Sequence, residues 1–327
     1  MNESCSLRAA RMFSRVAILF TLLFALPGCA AIAERDTQRT ERLQEISQLV
    51  KDVKAFGKTV GIEPTEALTR TSSQSAPLSM LWLWMQRVGT LALRGPIDIH
   101  MAIGFATEQE RLKVEQVYRV DGYSVYYRQG SEFADPRSVA TVGFSDEPLV
   151  RRVKVILHED LHGDANFALP WQIEEGLVTP LGSLAAVEYF RVKHDEKNLA
   201  GALATLREER QVSRDLNDIA AQAVKIFANE KVDAGKEKVL GLLANYPTYY
   251  RQFERQVEGQ HKATVLEAKL SHDLIYYRFF DAVANLAEKA PLQILIADLR
   301  RSPSDGDPEK TARYLGDLSA KYASLAP

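Results

Sequence analysis

Between residues 34 and 60 the apolar positions recur at helical spacing. Leu43, Ile46, Leu49, Val50, Val53 and Phe56 sit among charged and amide side chains. That period predicts a helix from Glu34 to about Val60. The Ser- and Thr-rich stretch Thr69–Pro77 reads as a loop. Residues 78–94 are strongly apolar and include Trp82 and Trp84, but Arg87 and Gly89 interrupt them, so they form a core segment and not a membrane span. Ile97–Phe105, Ser124–Arg128 and Ser138–Phe144 carry the β-branched and aromatic residues of strands, and Glu108–Val120 has the pattern of a helix. Ser145 or Asp146 then offers an N-cap, with Pro148 in the first turn, for a helix that runs to His162. Gly163 and residues 164–170 break it. From Trp171 onward nearly everything reads as helix, with breaks near Asn229–Gly235, Asn245–Pro247 and Ser302–Pro308. The expected fold is α+β, mainly α: a small antiparallel sheet, the helix ending at His162, then a helical body, in a single domain over residues 29–327.

The first thirty residues follow a different logic. Arg8, Arg11 and Arg15 precede the apolar run Val16–Leu26, which is too short to span a bilayer. Leu26-Pro27-Gly28-Cys29 resembles the lipobox of bacterial lipoproteins. The resemblance implies a signal peptide over residues 1–28 and a lipidated Cys29 that ties the mature chain to a membrane. Ala30, where Asp would retain a lipoprotein at the inner membrane, implies sorting to the periplasmic side of the outer membrane. With Cys5 in the leader, the mature chain keeps one of its 2 cysteines and can form no internal disulfide. A net charge of −2 without long charge blocks argues against nucleic acid as the main partner.

The chemistry concentrates in Val155-Ile156-Leu157-His158-Glu159-Asp160-Leu161-His162. This H-E-x-x-H pattern on a helix puts His158 and His162 on one face, where both can hold the same metal ion, and sets Glu159 beside them as a general base. Zinc in a catalytic site takes three protein ligands and leaves one position for water. Glu175 is the preferred third ligand and its neighbour Glu174 the rival, both in Trp171–Leu177. Asp160 either accepts a hydrogen bond behind a His ring or faces solvent, the solvated reading being preferred. His100, His194 and His261 read as packed or solvated, and Asp305-Gly306-Asp307 as a turn.

With these motifs in place, the chain resembles a family of bacterial lipoproteins described as predicted aminopeptidases. The likeness runs from about Glu41 to Arg300 and includes Gly122–Tyr126, Thr141–Leu149, Leu157–His162 and Ile173–Gly176. In that family an Asn-Glu-Ser stands at the spacing of Glu174-Glu175-Gly176, which puts the ligand on Glu175. This chain departs from the family at Asp160-Leu161, Gly163, Glu174 and Gly176. The resemblance implies a zincin-like fold of the Glu-ligand type, a Zn²⁺ cofactor and hydrolysis of peptide substrates in the cell envelope. Related enzymes use a Tyr or His to hold the developing oxyanion, which makes His272, Tyr276 and Tyr277 candidates. Ile97–Phe105 is a candidate edge for an added substrate strand. The competing expectation is an envelope lipoprotein that keeps the fold as a binding or scaffolding module.

Overall fold

The computed structural model describes residues 37–73, 79–103, 108–131, 138–163 and 165–325. The leader and Cys29 lie outside them. Helix α1 covers residues 37–59. Strands β1 (Arg70–Ser72), β2 (Ser79–Arg87) and β3 (Ile99–Ile103) follow, then α2 (Glu108–Val120), β4 (Tyr123–Ser131) and β5 (Val139–Thr141). The rest is helical: α3 (Val142–Ser145), α4 (Leu149–Leu161), α5 (Trp171–Val192), α6 (Glu196–Asn229), α7 (Val232–Leu243), α8 (Pro247–Gln256), α9 (Lys262–Tyr277), α10 (Phe280–Ala287), α11 (Leu292–Leu299) and α12 (Pro308–Leu325). The chain is mainly helical with a small sheet. Among the described residues no helix is long and apolar enough to cross a membrane.

The main sheet is antiparallel, in the order β3-β2-β4, with Trp84 opposite both His100 and Tyr126. Alternation along β2 sends Leu83 and Met85, with Val125, toward Val114 and Tyr118 of α2. Trp84 and Tyr126 face the other way, into a core built with α6 to α9. Both faces are covered, which is why residues 80–85 are continuously apolar and show no alternation in sequence.

Several boundaries differ from expectation. Residues 70–72, expected as loop, pair in parallel with β5. The strand expected over Ser138–Phe144 stops at Thr141, whose hydroxyl accepts the Phe144 N–H (3.1 Å) and starts α3. Neither Ser145 nor Asp146 caps α4. Pro148 holds the N-cap position, while Ser145 bonds Val142 O and Asp146 pairs with Arg42. The helical body has a further break at residues 193–195, where His194 takes φ 53°.

Helix α5 is the central element. It packs on α4, α6, α9 and α10, and its residues are buried on all sides from Leu177 to Ser183. Two glycines allow the close approaches. A Cβ on Gly182 would lie 3.1 Å from His158 Cβ, and one on Gly176 would lie 3.1 Å from Ile275 O. The α4–α5 contact therefore forms at His158 itself.

Candidate metal centre

His158 and His162 project from α4 toward α5, with their Nε2 atoms 3.1 Å apart. Glu175 of α5 completes a triangle: its Oε2 lies 3.5 Å from His158 Nε2 and 3.4 Å from His162 Nε2. A tetrahedral ion with bonds near 2.0–2.1 Å holds its ligand atoms about 3.3 Å apart. All three edges match that spacing. Glu175 Oε2 is buried and accepts no hydrogen bond. An orphaned carboxylate oxygen facing two imidazole nitrogens is what a metal ligand looks like without its ion, so the residues fit zinc.

Glu174, the rival ligand, does something else. One of its oxygens meets His162 Nδ1 at 2.8 Å, and the other accepts the Leu169 N–H at 3.0 Å. It fixes the imidazole so that Nε2 points at the triangle, the usual arrangement behind a histidine ligand. The backbone of Val178 bonds the His158 ring in the same manner. Two adjacent acids on α5 thus divide the work, one toward the two imidazole Nε2 atoms and one toward the far nitrogen of His162.

The electrostatics follow from this crowding. Burial, with His162 and Lys154 adding to it, holds His158 well below its ordinary value. Burial also lowers His162, but its hydrogen bond to Glu174 and the charges of Glu175 and Glu159 outweigh it and bring the ring up to about 10. Glu159 has a ligand atom within 4.8 Å of both histidines. Burial pushes its carboxyl up to about 8; Glu175 and Asp160 add to the rise, and His162 and Lys54 oppose it.

Asp160 corrects the expectation of a solvated side chain. It is fully buried, paired with Lys54, and accepts the Thr65 N–H (2.9 Å) and hydroxyl (2.7 Å). Asn166 bonds the Asp160 carbonyl (2.8 Å) and clamps the end of α4 to residue 63. The motif helix is therefore held from behind by a polar network that sequence did not reveal.

The remaining candidates separate. Tyr276 senses the carboxylates of Glu175 and Glu159 and stays protonated through burial and their charge. His272 is buried against Trp84, Tyr126 and Tyr276, with Nδ1 on Asp273 at 2.8 Å, and its charged neighbours are Asp273, Lys269 and Arg128. Tyr277 senses Glu209 and Asp273 instead of the ligand set. Of the three, Tyr276 is the one whose charged surroundings include Glu175 and Glu159. His100 is exposed and stacks on Trp171 with ring centroids 4.5 Å apart, which brings edge strand β3 against the start of α5. His194 lies in the α5–α6 turn, His261 is the N-cap of α9, and residues 305–307 form a turn.

Comparison of the chain with models of protein families, with curated proteins and with solved structures finds no match.

Proposed function

We propose that this chain is a zinc-dependent peptidase on a zincin-like fold, anchored through Cys29 in the bacterial envelope with its body in the periplasm. The observation that carries the reading is the triangle of His158 Nε2, His162 Nε2 and Glu175 Oε2, with edges of 3.1, 3.5 and 3.4 Å. Zinc held there would supply Lewis acidity toward a peptide carbonyl and toward water.

The chain's own residues do the rest. Glu159, next to the ligands, accepts a proton from the attacking water and hands it to the departing amine. Tyr276, kept protonated beside Glu175, is the candidate donor to the developing oxyanion. Edge strand β3, packed beside α5 through His100 and Trp171, offers a backbone along which an extended peptide can lie. The aminopeptidase part of the reading rests on the family resemblance.

Elemental analysis of the purified mature chain should find close to one zinc, lost in His158→Ala. Glu159→Gln should retain the metal and lose peptide hydrolysis by about 10²–10⁴-fold. Equal turnover by Glu159→Gln and the parent would sink the mechanism, and a metal-free parent would favour the scaffolding role. Paired substrates with free and blocked N-termini separate exo- from endopeptidase action.

A further inference from the structure

The start of α5 and the end of α9 line a cavity of about 330 Å³ that includes none of the triangle's residues and is walled largely by apolar groups such as Pro96, Trp171, Ile173, Leu274 and Phe279. One cation lines it: Arg278, directly after α9. Its guanidinium carries five N–H donors, and among the described residues the acceptor it meets is the carbonyl of Ala92. No described carboxylate pairs with it. Asp305, also on the cavity wall, is engaged by Lys310 and by the Asp307 N–H. Burial lowers the Arg278 pKa to about 10.

The guanidinium is only partly buried and is held by one carbonyl, so N–H donors remain open to a ligand in the cavity. A second positive feature faces the same space. Helix α5 begins there, with Pro170 at its N-cap and no side chain capping it, and Pro170, Trp171 and Gln172 all line the cavity. The first N–H groups of a helix lack partners within it, and the dipole of 22 residues favours negative charge at that end, where the first-turn carboxylate of Glu174 is already engaged by His162 and the Leu169 N–H. Gln172 cannot neutralise either feature, because its Oε1 is taken by the Ile97 N–H at 2.9 Å.

We infer that this cavity is a binding site, distinct from the metal centre, for a carboxylate carried on an apolar body, with Arg278 gripping the carboxylate. The planar fork of arginine matches two carboxylate oxygens, and the walls accept a short aliphatic or aromatic group. The inference does not depend on zinc or on peptide hydrolysis. Two sources share the chemistry, a free apolar acid and the C-terminal carboxylate of a peptide.

Calorimetric titration of the full mature chain tests it, with octanoate and N-acetyl-Ala-Phe as probes and their amides as neutral controls. At least one acid should bind saturably at one per chain, with its amide tenfold or more weaker, and the preferred acid identifies the source. Arg278→Gln should weaken the acid tenfold or more and leave the amide unchanged. Arg278→Lys, which keeps the charge but not the fork, should fall between; it carries the test if the Gln variant fails to fold by circular dichroism. His158→Ala and chelator should leave binding intact. Failure of both acids to bind, equal binding of acid and amide, indifference to Arg278, or loss of binding in His158→Ala would each overturn the site.

Discussion

Asp160 follows the candidate base directly, yet its work lies on the opposite side of the helix, where it anchors Lys54 and Thr65. Breaking such a buried pair on one side leaves an uncompensated charge. Asp160→Ala is therefore expected to destabilise the chain by about 3–5 kcal/mol in urea unfolding. Asp160→Asn combined with Lys54→Met removes both charges and keeps an acceptor for the Thr65 N–H, and should recover most of that loss. A double variant no better than Asp160→Ala would mean the ion pair is not what holds the helix. Glu174 teaches the same lesson nearer the centre: its adjacency to Glu175 made it look like a competitor, whereas the structure gives it the back of His162.

At the scale of elements, α5 decides the geometry because it meets both α4, which carries His158 and His162, and the tyrosine-bearing α9. Gly176 sets the second contact. An added Cβ would fall 2.9 Å from Phe279 Cδ2 and 3.1 Å from the Ile275 carbonyl. The ring can turn aside but the backbone oxygen cannot, so Gly176→Ala should cost about 1–3 kcal/mol by thermal unfolding. A neutral substitution would show that α9 stands farther off. Much of this framework was legible in sequence. The helix at Glu108–Val120 and the H-E-x-x-H helix carry clean periods, and Glu175 follows at a short fixed distance. What stayed hidden depends on partners remote in sequence. β1 is three polar residues that become a strand only by pairing with β5. β2 was readable as core but not as strand, because burial on both faces removes the alternation that marks one. Lys54 and Asp160, like Arg278 and its cavity, meet only after folding and leave no local signature.

Across the whole molecule, His272 links the second core to pH. Burial holds its ring down to about 4, against the support of Asp273. The unfolded chain binds a proton at this residue near pH 6.5 and the folded chain does not until about pH 4. Stability from this group is thus complete above pH 6.5 and falls as pH drops through the interval, by about 1.4 kcal/mol per unit. Urea unfolding at stepped pH should show that slope in the parent and a shallower one, by one proton, in His272→Asn. Parallel slopes would mean that His272 is already charged in the fold. The approach of α5 to α4 has a consequence of its own. Where Gly182 meets His158, only a hydrogen atom stands between the helices, and no side chain can flex to widen the gap. If an ion sits in the triangle, the spacing of its donors depends on a residue that never touches it, and swapping that glycine would push His158 away from Glu175 without altering any ligand.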